Sequence, residues 1–274
     1  MIKNIFPENI DNTTAVSFLI CNWTNKLDGE LLYIIESIFK YFGLRLYEGN
    51  GSCDDKTSRG KYNRIRKKFS EFLLSTASFI DLKLVSEPTY QDDFFPSKLL
   101  TAFSLDVETL NHGVVSIREV EASLDCQTIV EFYEGYLKKF GLFYGGVFLF
   151  PAKYGPDYYL SSVNTMPKGI KWGSNTEYVQ RLNNWKENTV IKKIDPLDGY
   201  FREIYPYNFV VESHLKKRFE GRAIRDFMEE YGTLIQLDRN APQYLWSIEC
   251  SKLEKVSEAL ESSGLVLSSN TKPQ

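Results

Sequence analysis

The feature that most constrains the fold of this chain is a pair of strand-like segments joined by a turn sequence. Leu99 to Leu110 and Val114 to Ala122 are rich in β-formers and flank Asn111-His112-Gly113. Such segments on either side of an Asn- and Gly-containing turn are typical of a β-hairpin, whose two strands run antiparallel. The apolar segment Thr14 to Cys21 predicts another buried strand. We therefore expect antiparallel or mixed sheets.

Helical segments alternate with these strands. Residues 30–42, 61–78 and 127–140 each place apolar side chains at the spacing of one helix face. Asp125 is positioned to cap the third helix, and Gly141 to end it. Together the patterns predict an α+β fold in which three to five helices pack on mixed or antiparallel sheets.

A helix, a glycine and an aromatic strand follow one another twice, in residues 33–49 and 131–147. Two explanations are open for this repeat: it is a coincidence, or the chain consists of two related α+β halves. At 274 residues the chain has the length of one to two domains. We predict an N-terminal α+β half, 1–124, and a C-terminal α+β half, 125–274, with one continuous domain as the alternative.

Some polar segments are predicted to lie outside the regular elements. Residues 50–60 are predicted to form a loop, and residues 268–274 a frayed tail. Ser251 and Glu254 have the spacing of a capping box, which predicts a helix beginning there. His214 is expected at the surface or as a helix cap.

Composition excludes several classes of protein. Aromatic residues make up 15% of the chain, which is too many for a disordered protein, and the net charge of −3 excludes a generally basic nucleic-acid coat. No apolar run reaches the roughly 20 residues of a membrane span. The N-terminus has no secretory signal pattern, so we expect a cytoplasmic protein that does not enter a membrane.

The sequence offers little for catalysis. It has no nucleophile elbow and no phosphate-binding glycine loop, and its only two histidines are far apart. The four cysteines have long, irregular spacings, so we expect no metal site and no cofactor. An enzyme is therefore the less favoured class.

A cluster of positive charge is the strongest electrostatic feature. Between positions 56 and 68 the chain contains only basic charged residues: Lys56, Arg59, Lys61, Arg64, Arg66, Lys67 and Lys68. Lys61, Arg64, Arg66, Lys67 and Lys68 would grip phosphates in a nucleic acid, with Tyr62 stacking on a base. An acidic protein partner fits the cluster equally well.

Carboxylates supply the other half of this alternative. Glu119 and Glu121 are two residues apart on one predicted strand, and Asp106 and Glu108 on the neighbouring one. Residues two apart share a face of a strand. The four carboxylates either hold a divalent metal, as in a metal-dependent enzyme acting on nucleic acid, or form the solvated face of a sheet.

Tyrosines in two aromatic segments, 143–159 and 200–209, are candidates for a recognition surface, because exposed Tyr next to Arg and Asn is common at protein interfaces. In this hypothesis Arg202, Tyr205 and Asn208 either fix a loop or contact the partner. The candidate binding residues are Arg202, Tyr205, Tyr207, Asn208, Tyr154 and Tyr158.

The C-terminal half resembles a family of uncharacterised bacterial cytosolic proteins and, less specifically, the immunity proteins of polymorphic-toxin systems. The resemblance covers about residues 126–267, and its most specific part is the pattern Arg-x-Ile-Tyr-Pro-x-Asn-Phe at 202–209. The resemblance brings no catalytic residues. It implies a bacterial accessory protein that binds another protein, such as a toxin, and neutralises it by occupying its surface.

Overall fold

The structure is a computed structural model, and it describes residues 14–21, 30–89, 97–106, 111–118, 125–141, 143–151, 176–238, 240, 242–271 and 273. The chain forms two compact units. The N-terminal unit contains the described residues from 14 to 141 and residues 149–151, and the C-terminal unit contains 143–148 and the described residues from 176 onward. Both units combine helices with antiparallel strands, which confirms the α+β class.

The N-terminal unit consists of six strands and three α-helices among its described residues. They are β1 (Thr14–Cys21), α1 (Glu30–Tyr41), β2 (Leu46–Cys53), β3 (Lys56–Lys61), α2 (Tyr62–Leu73), β4 (Phe79–Ser86), β5 (Leu99–Asp106), β6 (His112–Arg118) and α3 (Cys126–Gly135), which is followed by a 3-10 turn, Leu137–Phe140.

The strand order in this unit is β1-β6-β5-β4-β2-β3, and each neighbouring pair is antiparallel. The predicted hairpin at its centre is confirmed, because β5 pairs with β6 from Leu99 opposite Ile117 to Ser104 opposite His112. At the other end of the order, β3 has β2 as its neighbour and is the edge strand.

Helix α2 lies so close to β2 that two strand positions have to be glycine. A Cβ on Gly49 would come within 2.8 Å of the Phe69 ring, and one on Gly51 would do the same. The buried face of α2 contains Ile65 and Phe69. The close approach therefore places α2 directly over the outer strands of the sheet.

The prediction of a loop at 50–60 is wrong, because this segment forms most of the β2–β3 hairpin. Its polar, glycine-rich composition hid the strands: the glycines accommodate α2, and the polar residues face solvent at the sheet edge. The turn is stabilised at Asp54, whose φ of 47° is in the left-handed region that Asp tolerates. The Asp54 carboxylate accepts hydrogen bonds from the Phe79 N–H and the Ser78 hydroxyl.

The C-terminal unit contains the remaining elements, except for the last three residues of β7. They are β7 (Tyr144–Pro151), α4 (Thr176–Lys186) with a π-helical extension Glu187–Ile191, a 3-10 turn Pro196–Asp198, β8 (Tyr207–Val211), α5 (Glu212–Lys216), β9 (Arg218–Phe219), β10 (Arg222–Ala223), α6 (Ile224–Tyr231), β11 (Gly232–Asp238), β12 (Gln243–Ile248) and α7 (Cys250–Ser262).

The strands of this unit follow the order β11-β12-β8-β7, again with antiparallel neighbours, and β9 and β10 form a separate ribbon. Trp246 of β12 is fully buried, and its indole N–H donates to the Met228 carbonyl at 2.9 Å. This bond fixes α6 against the sheet.

The tail was predicted to be frayed, but side-chain hydrogen bonds hold its first residues against the rest of the unit. Asn188 donates its side-chain N–H to the Leu267 carbonyl at 2.7 Å, and Asn184 donates to the carbonyls of Ser268 and Ser269. Val266 forms a parallel bridge with Phe201. Because these amide side chains satisfy the tail's backbone groups, Ser268 and Ser269 are buried.

The helix ends give mixed results. Asp125 caps α3 as predicted, since its carboxylate accepts from the Thr128 N–H at 2.8 Å. The capping box at Ser251 is wrong, because α7 begins one residue earlier and its N-cap, Glu249, makes no side-chain cap bond.

The described residues contain seven α-helices, more than the three to five expected, and α5 has only five residues. Glycine follows helical residues at 43 and 141 in both copies of the repeated pattern, each with positive φ.

Within the described part of the chain, no helix is long and apolar enough to cross a membrane.

Candidate functional site

Of the recognition residues predicted in the C-terminal unit, three are buried. Arg202 and Tyr205 are each 3% exposed, and Asn208 is completely buried. Tyr207 is half-buried on β8, and Tyr154 and Tyr158 lie outside the described residues. Arg202 and Tyr205 lie in the loop between Phe201 and β8, and Asn208 of β8 is hydrogen-bonded to this loop.

Asn208 closes a tight turn of this loop. Its Oδ1 accepts from the Tyr205 N–H at 2.9 Å, and its Nδ2 donates to the Tyr205 carbonyl at 2.6 Å. The Tyr205 ring stacks on Phe148 and lies against Gly146, where a Cβ would come within 2.1 Å of the ring. The most specific part of the sequence pattern at 202–209 thus fixes a loop in the interior.

Arg202 is held from several directions. Its N–H donates to the Tyr144 hydroxyl at 2.6 Å, its carbonyl accepts from the Ser268 N–H at 3.3 Å, and its guanidinium lies over the Trp185 ring. These contacts connect the loop to β7, the tail and α4.

His214 belongs to the same interior. It is fully buried and stacks on the Tyr144 ring; its Nδ1 accepts from the Val211 N–H, and its Nε2 lies 3.1 Å from the Tyr200 carbonyl. It therefore caps α5, one of the two roles expected for it. Burial lowers the pKa of His214 to about 4, so the ring is neutral at pH 7.

The N-terminal unit places its polar residues differently. Every basic side chain of the segment 56–68 is exposed to solvent, on the edge strand β3 and on α2. We call this set the basic surface: Lys56, Arg59, Lys61, Arg64, Arg66, Lys67 and Lys68.

One member of the basic surface has a structural role. The Arg66 guanidinium donates to both carboxylate oxygens of Glu36 on α1, at 2.6 and 3.2 Å, and the Tyr62 hydroxyl donates to the same carboxylate at 2.6 Å. The hydrogen bond from Arg66 lowers the pKa of Glu36, while burial, with the nearby Glu36 carboxylate, raises the pKa of Tyr62. Arg66 therefore connects α1 to α2.

Two other members have distant acidic neighbours, since Arg59 lies 3.9 Å from Glu48 and Lys68 lies 3.6 Å from Glu71. Exposed pairs at such distances are weak and leave the cations accessible. The Lys61 ammonium lies over the Tyr47 ring, 3.1 Å from its centroid.

Four members have no acidic partner among the described residues: Lys56, Lys61, Arg64 and Lys67. At about 100° per residue, Arg64 and Lys68 lie about 160° and 200° around α2 from Arg66. Arg66 points toward Glu36 of α1, so Arg64 and Lys68 lie on the other side of α2 from this ion pair. Strand β3 itself carries Lys56, Arg59 and Lys61, so this edge of the sheet is bordered by positive charge.

The position of the Tyr62 ring does not allow the stacking role suggested for it. Its ring is only 5% exposed and packs in the unit's interior, with its hydroxyl held by Glu36. A base cannot stack on a buried ring. Sequence reasoning missed the exposed aromatics, Tyr33 and Tyr41 on α1, because it considered only the buried face of this helix and they lie outside it.

The carboxylates suggested for a metal cannot be placed together. Glu108, Glu119 and Glu121 lie outside the described residues, and of Asp106 only its position in β5 is described. Within the described residues, no group of three or more His, Cys, Asp and Glu side chains could hold a metal ion.

Comparison with known proteins gives a relative by fold alone. No protein-family model matches the chain, and no curated protein matches it. The Pseudomonas aeruginosa T6SS protein PA0821 is similar with a TM-score of 0.55 and 7% identity, over 93% of this chain and 77% of that chain. This likeness shows a shared fold.

A second solved structure contains the toxic C-terminal tip of CdiA from Pseudomonas aeruginosa in complex with an immune protein. The similarity has a TM-score of 0.32 and 15% identity, over 51% of this chain and 88% of the matched chain. A likeness at this level carries no argument about fold or function.

Proposed function

We propose that this protein binds another protein through the basic surface, and that it acts as an immunity protein that neutralises an acidic toxin by covering it. The observation that carries the proposal is the run of seven exposed cations on β3 and α2 in a chain whose net charge is −3. A strongly positive face on an acidic protein favours a partner of opposite charge.

Two further facts support a protein partner of this kind. The C-terminal half resembles immunity proteins of toxin systems in its sequence pattern, and the whole fold is similar to a T6SS protein. The buried turn at 205–208 is compatible with this proposal, because it stabilises the scaffold rather than forming the contact.

The basic surface suits a protein better than a nucleic acid. Glu48 and Glu71 lie among its cations, and their carboxylates would repel phosphates. Tyr62, the aromatic residue within the segment, is buried and cannot stack on a base. A protein surface can instead place its acids opposite the accessible cations.

The test is to mix the purified protein with the product of the adjacent gene and measure complex formation by calorimetry. The double variant Arg64→Glu with Lys68→Glu should weaken the complex by about a hundredfold, since it removes two attractive charges and adds two repulsive ones. It should also fail to protect cells that express the partner.

The matched control is Lys193→Glu with Lys216→Glu, which changes the net charge equally at exposed positions of the C-terminal unit. It should bind and protect like the unmodified protein. Absence of a complex together with measurable turnover would remove the proposal. Tight, salt-dependent binding to single-stranded RNA or duplex DNA would replace it with the nucleic-acid alternative.

A further inference from the structure

Strand β3 is the edge of its sheet, with β2 hydrogen-bonded on one side. In the described ranges of the chain, no strand pairs with its other side. An edge strand presents backbone N–H and C=O groups that can pair with a strand from another chain. The basic surface is therefore built around an edge that can accept a strand.

The register shows which backbone groups point outward. The Asp54 N–H donates to Phe79 of β4, and backbone groups alternate in direction along a strand, so Cys53 and Gly51 face β3. Their partners, Lys56 and Ser58, face back toward β2. The N–H and C=O groups of Thr57 and Arg59 consequently point away from the sheet.

Cations lie on both sides of this outer edge. Gly51 faces α2, so its partner Ser58 lies on that side of the sheet. Lys56, two residues before Ser58, lies on the same side, and α2 carries Arg64 and Lys68 there. Side chains alternate along a strand, so those of Arg59 and Lys61 lie on the opposite side of the sheet. A strand lying along β3 would thus meet positive charge on both of its faces.

This charge pattern selects the occupant. A second copy of β3 would bring like charges opposite each other, which destabilises pairing, whereas an acidic strand would bring opposite charges together. We propose that the partner docks by β-strand addition, placing an extended acidic segment along the outer edge of β3. This inference rests on the proposed function and specifies how the same surface binds.

The first experiment uses a fluorescent, glutamate-rich peptide of strand length with glutamates on both faces, and measures anisotropy with the full chain. A peptide of the same sequence that is methylated on every backbone nitrogen keeps the charges and loses the hydrogen-bond donors. It should bind about tenfold more weakly, as expected for the loss of one or two backbone hydrogen bonds.

A variant of the protein tests the same edge. Thr57→Pro removes an N–H that points outward and leaves the bonds to β2 in place, a position at which edge strands tolerate proline. It should weaken peptide binding about tenfold, since an outward backbone bond is lost. Thr57→Val, which keeps the N–H and the β-branched shape, should bind normally.

Amide hydrogen exchange provides a readout that does not depend on a variant folding correctly. Without peptide, Thr57 and Arg59 should exchange rapidly, whereas Ser58 should be protected by β2. With the acidic peptide bound, Thr57 and Arg59 should become protected, and a surface bound through charge alone would leave them exchanging rapidly.

The outcomes separate the two proposals. If the methylated peptide binds equally tightly and Thr57 and Arg59 stay unprotected, strand addition is overturned, while sensitivity to Arg64→Glu with Lys68→Glu would still support the basic surface. If that charge reversal has no effect either, both proposals fall. Failure of both peptides to bind also overturns strand addition.

Discussion

Arg202 in the C-terminal unit and Arg64 in the N-terminal unit each lie in a segment that contains both arginine and tyrosine. Arg202 is 3% exposed and its backbone N–H donates to Tyr144, whereas Arg64 is exposed and has no acidic partner among the described residues. The difference shows that the role of a polar residue depends on whether the fold buries its side chain or leaves it exposed to solvent. Buried polar groups must be satisfied by the fold, and exposed ones remain available to a partner.

The largest effect of this difference is expected at Asn208. Asn208→Ala removes both hydrogen bonds that its side chain makes to the buried backbone of Tyr205, so the free energy of unfolding should fall by about 3 kcal/mol. Urea denaturation followed by circular dichroism measures this change. The matched variant Asn63→Ala, at an exposed position on α2, should change it by less than about 0.5 kcal/mol. Equal effects would contradict the contrast.

The next effect concerns pH and the buried ring beside Tyr144. The pKa of His214 is about 4 in the folded protein, below its ordinary value of 6.5, so the unfolded chain binds an extra proton between these pH values. Stability should therefore fall as the pH drops from about 6.5 toward 4, by up to about 3 kcal/mol.

Unfolding curves at several pH values measure this dependence. In His214→Gln, which cannot titrate, the part of the slope between about pH 6.5 and 4 that belongs to this ring should disappear. A slope that persists unchanged in the variant would assign the pH dependence to other groups.

A smaller effect is expected from a single methyl group in the C-terminal unit. Gly146→Ala would place a Cβ within 2.1 Å of the Tyr205 ring, so the ring must move and the free energy of unfolding should fall by about 2 kcal/mol. Gly135→Ala at the end of α3 is the matched control, because nothing lies within 4 Å of its Cβ. It should leave stability unchanged or raise it slightly. Thermal unfolding distinguishes the two.

The smallest effect on stability should come from the basic surface. Arg64→Glu with Lys68→Glu changes charges that are exposed and weakly paired, so the free energy of unfolding should change by less than about 0.5 kcal/mol. Urea denaturation of this double variant is the measurement. A loss comparable with that of Asn208→Ala would mean that these cations stabilise the fold and are not reserved for a partner.

Much of the architecture could be predicted because local signals and tertiary packing agree. The stripe of buried side chains on α1, the Asp125 cap and the β5–β6 hairpin each follow a pattern that is complete within a short segment. Periodicity and capping are local properties, and they were sufficient for the α+β class.

The failures have a common physical cause, because they depend on residues distant in sequence. Gly51 looks like a loop residue until Phe69 is seen to pack on it. The tail is polar and looks frayed until Asn184 and Asn188 are found to bind its backbone. Likewise, no local pattern distinguishes the buried Arg202 from the exposed Arg64.

The amide clamp on the tail has a consequence for how the C-terminal unit folds. Asn184 and Asn188 reach backbone carbonyls that are 79 to 85 residues away along the chain. Closing a loop of that length costs conformational entropy before the new contacts can compensate, so such contacts are typical of slow steps in folding. We therefore expect the amides of Leu267 and Ser268 to gain protection in the last kinetic phase of refolding.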